Sequence, residues 1–422
     1  MAAPATSMPL RSFTPSRRRF AWMALLMVCL AIGLAAAYQV FTKGLVVTNL
    51  TDTVPWGLWI TIDLSAIALG AGAFTLSAVV YVFRLSRFRS IVRLALLIGI
   101  IGYTSAMLTL LVDIGRPERF WHPWVYWNVH SVLWEITWAI SLYLSVMLVE
   151  FAPVLAELSL FDRWPGIRRM GHRIHKVTPV LALVGMLISL IHQSSLGATY
   201  GILKARPIWF KPSMPILFIL SAMAAGPAIS MTAAIILQWV TRRKTVPLEV
   251  LRTIARFSGF GLLAYAYVKL WDLAAVAYYG RTPGTEGAFY LLNQLTPYGF
   301  GFWFGEVILG IVLPVLLFLA PGLNRRRGNL ALGGLLAALG VAINRWNVTV
   351  SGLVVPLSYS PGTLYRPPVG LYWPSLAEWG IGVGVIGYAL LVFTLGVRFL
   401  PLFPVGAKND QTSLRGSRLP DR

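Results

Sequence analysis

Ionisable side chains stand within or at the edge of long apolar runs of this sequence, among them Asp63, Asp113, His130, Glu135, His192, Lys269, Asp272, Glu306 and Glu378. A charge at the centre of a membrane-crossing helix costs roughly 2.5–3.5 kcal/mol on insertion scales, so such groups are functional candidates. A carboxyl group taken out of water holds its proton more tightly, and a nearby histidine can titrate near neutrality. Together they can exchange protons with a lipid-soluble substrate that gains or loses protons with its electrons. A quinone fits, because it enters from the bilayer and each of its oxygens needs a donor or an acceptor. The redox centre can belong to a partner that delivers the electrons.

Each residue also has a plainer reading. Lys269 and Asp272, at i and i+3, can pair on one helix face. Glu378 can sit at the water interface of a helix N-terminus, where its charge is favourable. Asp63 can accept hydrogen bonds from neighbouring Ser and Thr, and His192 by itself reads as a satisfied core histidine. His130 and Glu135 are too far round a helix to share a face closely. The case for chemistry rests on Asp63, Asp113, Glu135 and His192 converging on one leaflet.

The elements that must position these groups follow from composition. The 422 residues are 57% hydrophobic and 12% charged, against about 25% charged in a soluble domain. The 16 Trp, 16 Tyr and 21 Phe suit aromatic belts at two lipid–water interfaces. Apolar runs of membrane length predict an all-α integral membrane protein of about ten transmembrane helices, near 20–41, 57–83, 91–113, 128–150, 175–197, 213–240, 253–279, 300–320, 328–346 and 378–400. A basic N-terminus (1–19) leads into one polytopic domain (20–400), and a C-terminal tail (401–422) follows. The Pro-rich connection 347–377 reads as a cap on the membrane surface. The run 20–41 exceeds the apolar core of an export signal, about 7–15 residues, and reads as an uncleaved first helix.

Lys and Arg number 25 in the alternate segments that include both termini and 8 in the opposite ones. That bias places both termini in the cytoplasm and the chain in the cell inner membrane. The net charge of +21 is then a matter of orientation in short loops, not of nucleic-acid binding. With this topology the ionisable groups gather in the outer leaflet, and the inner halves of the helices are almost wholly apolar. The lone cysteine, Cys29, excludes a disulfide framework, a thiolate-held iron–sulfur cluster and a structural zinc site. Of the histidines, only His130 and His192 stand at similar depth on adjacent helices, as two axial haem ligands must.

Asp113-Ile114-Gly115-Arg116-Pro117-Glu118-Arg119-Phe120-Trp121 closes helix three. Pro55-Trp56-Gly57-Leu58-Trp59-Ile60 opens helix two, which carries the small-residue run Gly70-Ala71-Gly72-Ala73-Phe74. With a Glu inside helix four, these motifs resemble the NrfD/polysulfide-reductase family of membrane subunits. The branch is similar to HybB-like subunits of uptake Ni–Fe hydrogenases, labelled b-type cytochromes.

The resemblance implies a subunit that exchanges electrons with a quinone (menaquinone or ubiquinone) and has no haem or metal of its own. It implies two four-helix bundles, helices two to five and six to nine, flanked by helices one and ten. A ferredoxin-like iron–sulfur subunit would dock on the outer side, with a large Ni–Fe hydrogenase subunit beyond it. Glu135, Asp113 and His192 would serve proton transfer or quinone oxygens. Asp63, Tyr103, Arg116 and His130 would line the quinone site, and Lys269, Asp272 and Glu306 would form a secondary polar network. Trp121, Trp124 and Trp127 suit a docking surface or an interfacial belt equally. Helix six departs in having no acid or base, so any proton path there would need Ser230, Thr232 or Gln238.

Two other classes compete. A secondary transporter would hold its acids at the midplane between broken helices, whereas these acids lie near one face. A passive anchor for an outer catalytic subunit explains the loops and not the buried acids. The isolated subunit is expected to show no haem absorbance. A b-type spectrum abolished by replacing His130 or His192 would reverse that expectation.

Overall fold

The computed structural model describes residues 17–204, 206, 208–279, 297–354 and 372–403. Among them the chain forms ten long helices and no strand. They are α1 (Arg17–Lys43), α2 (Leu58–Val82), α3 (Arg89–Asp113), α4 (Val132–Ala156), α5 (Pro165–Gly201), α6 (Met214–Thr241), α7 (Leu248–Tyr279), α8 (Pro297–Leu319), α9 (Arg327–Val354) and α10 (Leu376–Phe399). Nine of these are long and apolar enough to cross a membrane. The other, α7, has the length, at 32 residues, and is made less apolar by Lys269 and Asp272. The protein is a multi-pass integral membrane protein.

Helices α2, α3, α4 and α5 pack in a ring that closes where α5 returns to α2. Helices α6, α7, α8 and α9 form a second ring, closed by α9 on α6. The seam between the rings is α2 against α6 and α9, with α5 against α6. Helix α1 lies along α10, and α10 along α3. Lipid tails are as apolar as leucine, so helices hold together through close packing of small residues rather than through exclusion of water. Glycines stand at three crossings. A Cβ added to Gly33 of α1 would lie 2.5 Å from Gly384 Cα of α10. One on Gly310 of α8 would lie 2.5 Å from Gly340 Cα of α9, and one on Gly72 of α2 would lie 2.5 Å from the Gly226 carbonyl carbon of α6. At Gly72 and Gly226 the two bundles touch backbone to backbone.

The small-residue run that permits this contact also breaks α2. The Ala71 amide bonds back only three residues, to Ala68 O at 3.2 Å. The Ile67 carbonyl instead accepts from Gln193 Nε2 of α5 at 3.4 Å. Helix α8 departs from α-helical form as well, with wide π-helical turns over Gly301–Val312 that carry Glu306.

Call the end of the molecule where α3 stops and α4 begins the Asp113 end. There Gly115, at φ +70°, adopts the left-handed conformation that glycine tolerates without strain, and Pro117 opens the next short helical turn. Ser131 caps α4 by accepting from the Trp134 amide at 3.4 Å, so the helix begins at Val132 rather than near 128. His130 consequently sits exposed on the loop, not in the first turn of α4. Helix α5 starts at Pro165, ten residues before the expected 175, and α9 runs on to Val354, past 346. In α9 the polar residues Asn344, Arg345 and Asn347 end the apolar run without ending the helix, because their side chains are buried within the bundle. Arg17–Arg19 form the first turn of α1. The rest of the N-terminal segment, the tail from 404 and the stretch 355–371 of the expected cap lie outside the described residues.

Glu378 is fully buried, which corrects the expectation of a solvated interfacial acid. It completes a capping box with Ser375 and accepts from Ser375 N at 2.8 Å, from Asn49 N at 3.0 Å and from the Tyr372 hydroxyl. Burial and this carboxylate together push the Tyr372 hydroxyl above its ordinary value. One carboxylate thus ties α10 to the segment leading into α2. Gly226→Ala is expected to lower thermal stability in detergent by roughly 1–3 kcal/mol, the usual cost of overpacking. An unchanged melting temperature would mean that the bundle seam is not a tight contact.

Candidate functional site

The first bundle encloses a run of polar side chains that the protein leaves unpartnered. Asp63 of α2, Tyr103 of α3, Tyr143 of α4 and Ser189, His192 and Gln193 of α5 are all buried. Neither ring nitrogen of His192 has a hydrogen-bond partner among the described residues. The same holds for Asp63 Oδ1, Asp113 Oδ1 and Gln193 Oε1, while Ser189 Oγ stands near the Tyr103 and Tyr143 hydroxyls without closing a hydrogen bond of ordinary geometry to either. The Tyr103 ring lies 4.7 Å from that of Tyr143 and 5.9 Å from that of His192, centroid to centroid. An unsatisfied buried polar group costs roughly 1–3 kcal/mol, and native interiors contain few of them. Such a concentration marks a place where water or a polar ligand supplies the missing partners.

At the Asp113 end, Asp63 lies within electrostatic reach of Asp113, and Asp113 of Glu378. Glu135 is half-buried beside Ser195, where α4 meets α5. The expected residues Asp63, Tyr103, Asp113, Glu135 and His192 therefore line one bundle. Arg116 and His130 do not join them: both are exposed on the connection from α3 to α4. His130 and fully buried His192 thus do not face each other as a ligand pair. On the same connection Trp121 and Trp127 are exposed. Trp124 donates to Ser141 Oγ at 3.1 Å, which anchors that connection to α4.

Two features escaped sequence reasoning here. Tyr143, Ser189 and Gln193 carry no charge inside apolar helices, so no insertion cost drew notice to them. Glu150 is 6% exposed within α4, near Ser77 of α2, with its Oε1 unpartnered among the described residues. It lies fifteen residues beyond Glu135, about 22 Å along a helix. The opposite half of this bundle is therefore not wholly apolar, as the sequence had suggested. The expected helix end at 150 hid the signal, since α4 continues to Ala156.

The second bundle treats its charges differently. Lys269 does not pair with Asp272 on its own helix but with Glu306 of α8, at 2.8 Å. Asp272 instead pairs with Lys211 at 2.7 Å and accepts from Ser213 Oγ at 2.7 Å. Glu306 Oε1 also accepts from the Tyr265 hydroxyl at 2.7 Å and from Asn344 Nδ2 at 2.9 Å, while Asn347 Nδ2 reaches Oε2 at 3.4 Å. Burial pushes the Lys211 ammonium below its ordinary value, and the Asp272 carboxylate opposes that shift. These groups border a cavity of about 30 Å³, room for a water or two and not for a quinone ring. Lys211, Tyr265, Asn344, Arg345 and Asn347 were not singled out as site residues. A cation and two amides within four residues of α9 were the available signal.

The comparisons with known proteins agree with this architecture. Residues 46–356 match the family described as polysulphide reductase, NrfD. The chain is 34% identical to the integral membrane subunit of menaquinone reductase from Nitratidesulfovibrio vulgaris, over 92% of each chain. It is 25% identical to the integral membrane subunit of an Hdr-like menaquinol oxidoreductase from Archaeoglobus fulgidus, over 93% of this chain and 95% of that one. It is also 28% identical to a probable Ni/Fe-hydrogenase 2 b-type cytochrome subunit of Escherichia coli, over 88% of this chain and 89% of that one. The turn after α3, the paired four-helix rings and a match over most of the chain lead to one conclusion: the protein belongs to the NrfD polysulphide reductase family of integral membrane subunits.

Proposed function

We propose that the chain is the quinone-reactive membrane subunit of an oxidoreductase complex. It exchanges electrons between an iron–sulfur subunit, docked on the aromatic connection between α3 and α4, and a menaquinone or ubiquinone at the Asp113 end of the first bundle. The observation that carries this reading is the set of buried, unpartnered polar atoms around His192, Asp63 and Tyr103. A quinone headgroup presents two acceptor oxygens, which become hydroxyls on reduction, and this set offers both donors and acceptors to them. The relatives named for menaquinone reductase and for hydrogenase support a quinone substrate and an electron-delivering partner. A Ni–Fe hydrogenase is the catalytic subunit favoured by the motif branch.

Reduction of a quinone to quinol takes up two electrons and two protons. The electrons come from the iron–sulfur partner. Glu135 and Asp113 hold and pass protons near the surface of the bundle, and His192 and Tyr103 orient the oxygens deeper in. Both termini face the cytoplasm of an inner membrane, as the distribution of Lys and Arg favours. In that orientation Glu150 lies towards the cytoplasmic end and can supply protons through the Tyr143–Tyr103 contact (4.7 Å between rings). Quinol oxidation would run the same groups in reverse.

Glu135→Gln is expected to slow quinone turnover by the assembled complex by at least about 10²-fold, the lower range for losing a general acid or base. Unchanged turnover in that variant would remove Glu135 from the mechanism. Glu150→Gln is expected to reduce both turnover and the membrane potential built by the complex in proteoliposomes. A full potential would show that protons bypass Glu150.

A further inference from the structure

The small cavity of the second bundle is bordered by two cations and two anions, Lys211, Lys269, Asp272 and Glu306, together with Asn344 and Asn347. Lys211 pairs with Asp272 at 2.7 Å and Lys269 with Glu306 at 2.8 Å, so these four charges cancel. A third cation stands directly behind the wall. Arg345 is 1% exposed, donates from Nη1 to Asn344 Oδ1 at 2.7 Å and lies 3.6 Å from the ring centroid of Phe218, another lining residue. Its Nη2 donates to Ser221 Oγ at 2.8 Å, and it forms no ion pair among the described residues. The cluster therefore carries one positive charge in excess.

The hydrogen-bond inventory leans the same way. The Asp272 and Glu306 carboxylates are filled by their lysines, by hydroxyls and by amides. An ammonium has three N–H groups to give. Among the described residues Lys211 Nζ reaches one acceptor, Asp272 Oδ2, and Lys269 Nζ one, Glu306 Oε1. Arg345 Nε reaches none. Spare donors thus predominate. One lining acceptor, Asn347 Oδ1, is open, and a water can fill it. Helix α6 begins beside the cavity at Met214, and the N-terminal end of a helix favours negative charge. Lys211, with 17% of its side chain exposed, gives a small ion a way in from the Asp113 end.

We propose that the cavity is a halide site, in which one chloride ion accepts from Lys211 Nζ and Lys269 Nζ and balances the charge of Arg345. A volume of about 30 Å³ admits a monatomic ion with a water beside it, and excludes sulfate or phosphate. A buried charge without a counterion is strongly disfavoured, and a guanidinium does not give up its proton in a protein. Proton loss from either lysine would restore neutrality only by leaving a buried carboxylate facing a neutral amine. A bound anion removes the excess and keeps both pairs. It also joins the connection before α6 to α7, since Lys211 lies on the one and Lys269 on the other. The site lies in the bundle that the quinone reading does not use, so neither depends on the other.

Bromide can take the place of chloride and scatters X-rays anomalously. In crystals of the complex grown with bromide, an anomalous peak is expected between Lys211 Nζ and Lys269 Nζ. Its absence there, or peaks at other places only, would overturn the proposal. In detergent, the melting temperature of the complex is expected to rise saturably as chloride replaces gluconate at constant ionic strength, and not as sulfate does. Equal responses to the three anions, or no response, would overturn it too. Arg345→Gln leaves both ion pairs in place and is expected to weaken chloride binding at least about tenfold, since it removes a unit charge from a cluster of low dielectric. Arg345→Lys is expected to keep the affinity. Unchanged affinity in Arg345→Gln would show that excess charge is not what holds the ion, against the proposal. Should that variant fail to assemble, the bromide peak in the wild-type complex decides alone.

Discussion

Inside a bilayer a polar group finds its hydrogen-bond partner within the protein or goes without. The two bundles answer this constraint in different ways. The second saturates its buried carboxylates: Glu306 alone accepts from Tyr265, Lys269, Asn344 and Asn347, and Asp272 is held by Lys211 and Ser213. The first leaves His192, Asp63, Tyr103 and Tyr143 with open hydrogen-bonding capacity. A saturated network is rigid and specific; an open one has capacity for a ligand or water. The difference assigns unlike tasks to two rings of similar architecture.

Glycine makes the arrangement possible. With lipid on the outside, helices gain little from hiding apolar surface and must gain from close approach. The Gly72–Gly226 contact brings the bundles together near the break in α2. That break redirects the Ile67 carbonyl to Gln193, and so locks α5 to α2 beside His192. The same small residues that allow the seam therefore help to set the depth of the candidate quinone site. On the Asp113 end, Glu378 fastens α10 over the start of α2, so the helix carrying Asp63 is held from both sides.

The sequence by itself determined that the chain crosses a membrane many times, because runs of apolar residues of the right length have no other use. It also pointed to Asp63, Asp113, Glu135 and His192, since an ionisable residue in such a run is costly whatever its neighbours. The Asp-Ile-Gly-Arg-Pro turn was legible as a family motif, and the structure supplies its physical reason: its glycine takes a positive φ and its proline opens the next helical turn. Only the tertiary structure decided who pairs with whom. Lys269 chose Glu306 on another helix over Asp272 on its own, a choice set by helix rotation and packing, which periodicity does not encode. His130 left the candidate set because a serine cap began α4 at Val132, four residues later than expected, and Glu150 entered it because α4 ran on past the end of its apolar run. Arg345, a charge within a span in the sequence, is buried because the amide of neighbouring Asn344 and, from α6, the Ser221 hydroxyl and the Phe218 ring accept it. Apolar length is a local property and survives in the sequence; partnership is a property of the packed molecule.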